Sequence, residues 1–264
     1  MDNNAIFEIR DMSFYFGKIK AIDGLSLTIS PSGFSGLLGP NGCGKSTLLD
    51  LLARCKTPGS GAIKYQGRDI GDYVRKDLAK EIALVPQDFY INFSFTVKEI
   101  VLMGRHPYIP RFASPSMYDL KIVDHVMELL EIAKFKDKYI TELSGGEKQR
   151  VIFARALAQD TPVLLLDEAT SNMDIQFTLD ILNIVLKGVE TGRKTVIAAL
   201  HNLNLAAAYC DRLIFMKSGR VLSEGSLDDM LTEQNLLEVF GIESHVYFDE
   251  YTESKQVAFR RRRI

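Results

Sequence analysis

Apolar residues recur along this chain at two spacings, one suited to strands and one to helices, and the change between them outlines the fold. The first part reads as strands, Ile6–Arg10, Ser13–Phe16 and Leu25–Ile29, punctuated by Gly17 and Asp23-Gly24 as turn signals. Phe34–Leu38 is a short apolar strand that runs straight into a glycine-rich stretch, after which LLDLLARC has the Leu and Ala content of a helix. Gly61–Tyr65, after Pro58-Gly59, and Ile82–Val85, ending at Pro86, read as two further strands. From about Phe89 to Gln159 the texture is helical. Helices are predicted there at Thr96–Met103, Ser116–Ala133 and Gly145–Ala158, with the Pro-rich link HPYIPRFASP between the first two. Val163–Leu166 is the continuous apolar run expected of a central parallel strand. Ile175–Val189 has helical spacing, Thr195–Leu200 is a strand, and Leu213–Phe215 and Arg220–Ser223 flank a turn at Lys217–Arg220. VYFDE…QVAF reads either as a terminal strand pair or as a trailing end. The order is a β-rich start, an α/β core, a helical insertion and an α/β return, without internal repeats.

Composition narrows the class of function. The 264 residues, 46 % hydrophobic, suffice for one domain or a domain with a sub-lobe. A formal net charge of −2 gives no global basic field, which argues against a dedicated nucleic-acid binder. The one charge run, Arg260–Arg263, is expected to be a solvated tail, with contact to anionic lipid as the alternative. Cys43, Cys55 and Cys210 lack metal-ligand spacing and are odd in number, as expected of reduced thiols in a cytosolic compartment. MDNNAIFEIR has no basic and apolar leader pattern, and no apolar run approaches the roughly 18 residues that would suggest a membrane span. A membrane role is therefore expected to come through a partner.

The chemistry is concentrated in three segments. Gly39-Pro40-Asn41-Gly42-Cys43-Gly44-Lys45-Ser46 fits GxxxxGK[ST], the P-loop, and lies between a strand and a helix N-terminus as that motif requires. Its backbone N–H groups and the helix dipole suit phosphate oxygens. Lys45 is expected to reach the β- and γ-phosphates, Ser46 to ligate Mg²⁺, and Thr47 to add a hydroxyl to the α-phosphate. Cys43 is either a small spacer in the loop or a partly exposed thiol activated by the helix N-terminus. In Val163-Leu164-Leu165-Leu166-Asp167-Glu168 an apolar strand ends in two acids. Asp167 is placed to orient a Mg²⁺ shell and Glu168 to act as general base or to position water. Leu143-Ser144-Gly145-Gly146-Glu147-Lys148-Gln149-Arg150 opens a second glycine-bearing helix, a second anion site with no strand-and-lysine apparatus around it.

That octapeptide closely resembles the LSGGQ-type signature of the ATP-binding-cassette family, and its position between the P-loop and the acid-terminated strand makes the match specific. The resemblance runs from about Ile6 to Ser244 and implies an α/β fold: a P-loop NTPase core with an N-terminal antiparallel β subdomain and an inserted α-helical subdomain. Residues 1–244 would form one ATPase domain, with the insertion at about 89–159 and residues 245–264 as a C-terminal tail. It implies ATP and Mg²⁺ as ligands, and a head-to-tail dimer in which Ser144, Gly145 and Gly146 of one copy complete the ATP site of the other. Gln87, in ALVPQD, matches the Q-loop glutamine that meets Mg²⁺ or the attacking water. His201, in AALHNLN, matches the switch histidine at the γ-phosphate. Phe16 stands where the family has an aromatic on adenine, with Tyr15 as the competing choice, since adjacent strand residues face opposite ways. Ser171-Asn172-Met173-Asp174 matches the D-loop. Met173 where Leu is usual, and Glu147 where Gln is commonest, are the departures.

PQDFYINFSFTVKEIVLMGRHPYIPRF and HNLNLAAAYCDRLIFMKSGRVLSEG resemble the ATPases of importers for ferric siderophores, haem and cobalamin. That implies integral membrane permease subunits as partners, a substrate-binding protein indirectly, and a peripheral place on the cytoplasmic face of the membrane. Gln87 to about Arg111, with Arg105 and Arg111 among them, are expected to line the groove that receives a permease helix, an ordinary Pro-containing surface loop being the alternative. The alternatives are a non-transport cassette of the translation or DNA-repair type, and an importer ATPase for another substrate such as molybdate. Non-transport cassettes usually pair in tandem or carry a long coiled coil, and neither feature is present.

Overall fold

The computed structural model describes residues 5–87, 89, 93–169 and 173–260. Ser171 and Asn172 of the expected D-loop and Arg261–Arg263 of the basic run lie outside the described residues. The chain forms two compact units, Met1–Asp72 with Gly188–Ile264, and Tyr73–Lys187.

In the first unit, β1 (Phe7–Phe16) and β2 (Ile19–Ile29) pair antiparallel about the turn at Gly17. β3 (Phe34–Leu38) is buried throughout and leads through the glycine loop into α1 (Lys45–Leu52), whose Leu48, Leu49, Leu51 and Leu52 are fully buried. β4 (Ser60–Tyr65) pairs with the other edge of β1 and with the short β5 (Arg68–Asp69). Phe7, Ile9, Leu25, Leu27, Ile29 and Tyr65 face the core, as the alternation predicts.

Two expected breaks turn out to be bulges. Ile6–Arg10 and Ser13–Phe16 belong to one strand whose register shifts around Asp11, at φ 44°. Asp23-Gly24 is not a turn, because β2 runs through it with Gly24 at φ 58°. Side chains take up the ladder positions that the bulges vacate: Gly24 N–H donates to Ser13 Oγ and Asp11 N–H to Ser26 Oγ, both at 2.9 Å.

In the second unit α2 (Arg75–Glu81) precedes β6 (Ile82–Val85). The three helices that follow each open on a reciprocal capping box, which fixes where they start. These are α3 (Val97–Met103) with Thr96 and Glu99, α4 (Met117–Leu129) with Ser116 and Asp119, and α5 (Gly145–Ala158) with Ser144 and Glu147. α4 stops short of the predicted Ala133. Glu131 adopts φ 55°, and the chain continues into a 3₁₀ turn at Ala133–Phe135. β7 (Val163–Asp167) pairs parallel with β6, Val85 opposite Leu166.

α6 (Ile175–Glu190) carries the chain onward to β8 (Thr195–Ala199), α7 (Leu203–Tyr209), β9 (Arg212–Lys217) and β10 (Arg220–Ser226). β3 lies between β8 and β9, parallel to both, and β10 returns antiparallel on β9. After α8 (Leu227–Met230) and α9 (Glu233–Phe240), β11 (Ser244–Asp249) and β12 (Ser254–Phe259) make the strand-pair alternative the correct one. Asn204 on α7 accepts from Val257 N–H at 2.7 Å, and Glu233 accepts from Val246 N–H at 3.1 Å, so the hairpin is tied back at both strands.

Arg105 does not line a surface groove as expected. It is 2 % exposed, with Nε 3.0 Å from Asp119 Oδ1, Nη1 donating to the Ala158 carbonyl at 2.9 Å, and its guanidinium 3.9 Å from the Tyr108 ring centre. The Ser116 hydroxyl, and after it Arg105, hold the Asp119 carboxyl below its ordinary value against the opposing effect of burial. The residue before Arg105 is a glycine for a steric reason: a Cβ on Gly104 would lie 2.2 Å from the Arg155 carbonyl oxygen, so α3 can approach α5 this closely only through a glycine. The GRHPY segment thus ties α3, α4 and the C-terminal end of α5 together. Arg105→Leu is expected to lower unfolding stability by about 3 kcal/mol, the cost of leaving a buried carboxylate without its cation. Arg111→Leu, an exposed site, should stay within about 0.5 kcal/mol of the parent. Urea denaturation of the two variants checks this, and equal midpoints would refute the assignment.

Candidate functional site

Because β3, β8 and β9 are parallel, their carboxyl ends lie at one edge of the first unit's sheet. The glycine loop leaves β3 there, and His201, exposed, follows β8 by two residues; Leu200 N–H donates to the Leu37 carbonyl at 3.2 Å. Asn202, capping α7 through Asn204 and Leu205 N–H, fixes the chain just past His201.

The loop is set by backbone packing. A Cβ on Gly39 would stand 2.1 Å from the Met216 carbonyl oxygen, and one on Gly44, at φ 107°, 2.8 Å from that of Ala21. Cys43 N–H donates to the Pro40 carbonyl at 3.2 Å, while its own carbonyl accepts from Gly219 N–H at 3.0 Å. Gly219, in the β9–β10 turn, in turn accepts from Asp23 N–H at 2.9 Å, and Arg220 Nε donates to Asp23 Oδ2 at 2.8 Å. The β9–β10 turn, which nothing in the motif pattern singles out, is therefore what wedges the loop against β2.

Lys45 is buried, and its Nζ donates to the Gly39 carbonyl at 2.9 Å, with the Pro40 carbonyl at 3.5 Å. Gly44 caps α1 without any side-chain hydrogen bond, and the first turn holds no acid. A glycine-shaped cradle with a lysine ammonium inside it, at a helix start whose own first turn carries no acid, fits a phosphate chain. Ser46 is partly exposed and Thr47 buried on the first turn; Asn41 and Gly42 are exposed at the rim.

Cys43 is 4 % exposed, with its sulfur against Gly39, so it is the small spacer and not the partly exposed thiol. Cys210 is also buried, which pushes its thiol well up, and Cys55 is exposed. Phe16 and Tyr15 are both about half exposed on opposite faces of β1. Phe16 meets Phe14 edge-on at 5.0 Å and has the Lys56 ammonium 5.5 Å from its centre, and Lys56 pairs with Asp50 of α1. Tyr15 instead faces an open hollow of about 690 Å³ bordered by Ser13, Lys20, Asp23 and Arg220.

In the second unit the parallel register brings the ends of β6 and β7 level, with Gln87 two residues past Val85 and Glu168 two past Leu166. Asp167 is buried at the strand end. Glu168 adopts φ 48°, a left-handed conformation that costs a side-chain-bearing residue energy and points to a locally imposed turn. Gln149 Nε2 donates to the carbonyl of the next residue, Ala169, at 3.1 Å. Arg150 stacks 3.7 Å from the Phe177 ring centre and lies 3.5 Å from Asp174 Oδ2. In the sequence both side chains stand out only as members of the LSGGEKQR motif, five and six residues after the cap; Gln149 is buried and Arg150 partly exposed.

Ser144 Oγ donates to Glu147 Oε2 at 2.7 Å, and Ser144 N–H to the same oxygen at 2.8 Å. The hydroxyl first, then the backbone bond, with Lys138 and Lys134 nearby, hold the Glu147 carboxyl below its ordinary value. Gly145 and Gly146 have nothing within 4 Å of the position a Cβ would take among the described residues, so packing within this chain does not require glycine there.

These features define a P-loop nucleotide-binding α/β protein with a second glycine-bearing helix start. Residues 22–171 match the family model described as ABC transporter. The chain is 36 % identical over 252 residues to the hemin import ATP-binding protein HmuV of Bradyrhizobium diazoefficiens, covering 92 % of this chain and 91 % of that one. It is 39 % identical over 221 residues to the cobalamin import ATP-binding protein BtuD of Halobacterium salinarum, 84 % of this chain but 55 % of the relative, so it spans about half of that protein's length. Among solved structures, an inward-facing metal-chelate type ABC transporter superposes with a TM-score of 0.81 at 27 % identity, covering 98 % of both chains. The dimeric ATP-binding cassette MJ0796 bound to ADP and Pi superposes at 0.74 and 28 % identity, over 84 % of this chain and 98 % of that one. The chain belongs to the ABC transporter family.

Native protein treated with a thiol reagent should titrate one fast thiol, Cys55, with Cys43 and Cys210 reacting only on unfolding. A second fast thiol protected by ATP would contradict the buried placement of Cys43.

Proposed function

We propose that this chain is the ATP-hydrolysing subunit of a membrane importer, energising uptake of an iron complex of siderophore or haem type, cobalamin or a related metal compound. The observation that carries the reading is that one chain holds two unlike glycine-bearing helix starts. At α1 Gly39 and Gly44 are demanded by close packing beside a buried lysine, whereas at α5 Gly145 and Gly146 meet nothing among the described residues. Glycine at α5 makes sense if another surface must come close, and the phosphate chain held by a second copy is the surface proposed. The relatives described above, import proteins for hemin and cobalamin, support the transport half.

In this reading Lys45 exchanges the Gly39 and Pro40 carbonyls for β- and γ-phosphate oxygens, and the loop N–H groups with Thr47 hold the rest of the chain. Phe16, on the α1 face of β1, stacks on adenine. Ser46, Gln87 and Asp167 would hold Mg²⁺, a hydroxyl, an amide and a carboxylate being the few hard oxygen donors that ion takes beside phosphate and water. When bound, that ion would supply neutralisation of the charge on the phosphate chain. Glu168 orients the attacking water and takes its proton, and His201 donates to the γ-phosphate. Ser144, Gly145 and Gly146 of the second copy close over the same phosphate, so hydrolysis loosens the dimer and moves the attached permease subunits. The partners are thus a second copy, integral membrane permeases on whose cytoplasmic face the chain sits, and, through them, a substrate-binding protein. Among the described residues no helix is long and apolar enough to cross a membrane.

Glu168→Gln is expected to bind ATP normally, to lose turnover by about a hundredfold or more, and to accumulate an ATP-bound dimer on size-exclusion chromatography. Near-normal hydrolysis would overturn the reading of this site. Chelation of divalent cations should abolish turnover in the parent protein.

A further inference from the structure

We infer that Gln149 is a positioning residue for Glu168, and that through it the signature helix sets whether the catalytic carboxylate of its own chain is in place. The inference rests on the proposed role of Glu168. Glu168 bears a side chain yet holds φ 48°, and such a turn persists only where its surroundings impose it. The side-chain bond the described residues show on the backbone just beyond it comes from Gln149, whose amide N–H donates to the Ala169 carbonyl at 3.1 Å. Both residues are buried, at 8 % and 3 % exposure, so water offers that carbonyl no ready substitute.

A further contact holds the chain beyond that turn. Arg150, the next residue on α5, stacks on Phe177 and reaches Asp174, whose Oδ1 accepts from Phe177 N–H at 2.8 Å at the start of α6. The far end of α5 is anchored as well, by Arg105 on the Ala158 carbonyl and by the approach of α3 at Gly104. α5 is thus a stiff element with Ser144 at its free start and Gln149 about 7.5 Å further along, at a rise of roughly 1.5 Å per residue. A shift of α5 as Ser144 engages a phosphate would move the donor to Ala169 and with it the Glu168 turn.

Three variants of the full chain test this: Gln149→Met, which keeps the length without the donor; Gln149→Glu; and Glu168→Gln as the control. Gln149→Met should lower kcat about five- to tenfold while KM for ATP stays close to the parent's, with a thermal midpoint lowered by a few degrees because the buried Ala169 carbonyl loses its donor. In Gln149→Glu an ionised carboxylate faces the Ala169 carbonyl, while a protonated one can donate to it. Its kcat relative to the parent should therefore rise as pH falls from 8 to about 6, since burial raises a carboxyl pKa; Gln149→Met should show no such recovery. An unchanged kcat in Gln149→Met, a proportional rise in KM with kcat unchanged, or a Gln149→Glu ratio flat with pH would each overturn the inference. Failure of the underlying site reading is separate: there Glu168→Gln itself would hydrolyse ATP at the parental rate.

Discussion

Much of the proposed nucleotide site depends on one steric fact, that residues 39–44 pack against neighbouring backbone with no room for side chains at Gly39 and Gly44. The carbonyls of Met216 and Ala21 occupy those positions. The loop is therefore clamped between the end of β9 and the start of β2, and the β9–β10 turn locks it through Cys43, Gly219 and Asp23. Lys45 then has a definite place inside the loop, held by the Gly39 and Pro40 carbonyls. The antiparallel β2–β1–β4 layer therefore does more than present Phe16, since β2 packs against the glycine loop at Gly44.

The second unit is organised around α5 in a comparable way. Its start is fixed by the Ser144–Glu147 capping box, its buried side reaches Ala169, Asp174 and Phe177, and its end is tied by Arg105. Arg155 on the same helix stacks 4.5 Å from the ring centre of Phe89, two residues past Gln87. One helix thus touches the surroundings of both the expected water-positioning carboxylate and the expected Q-loop glutamine. A helix used in this way can carry a displacement at its start to both of those expected site residues together.

The elements with strong local signals were legible. The P-loop, the acid-terminated β7 and the starts of α3, α4 and α5 are written in adjacent residues, and a capping box or a buried apolar run needs no distant partner to be recognised. What escaped reading depended on contacts distant in sequence. Asp23-Gly24 has turn chemistry, but Ser13 and Ser26 supply hydrogen bonds that let the strands continue through bulges. Arg105 has the look of a surface charge until Asp119 and the Ala158 carbonyl, 14 and 53 residues away, are brought to it. Cys43 is hidden by Gly39 across the loop. The short helices α2, α7, α8 and α9 carry too few turns for a periodic signal, and tertiary packing decides them.

The central claim is that α5 of one copy completes the phosphate site of another, and complementation between two inactive variants tests it most directly. Lys45→Ala disables the P-loop and Ser144→Arg obstructs the start of α5, so each alone should lack ATPase activity. Mixed together, they form heterodimers in which one composite site has an intact P-loop from one copy and an intact α5 from the other. The account predicts that mixing restores ATP hydrolysis that neither variant shows by itself. If the mixture stays as inactive as its components although heterodimers form, the two helix starts do not meet across a dimer and the account is wrong.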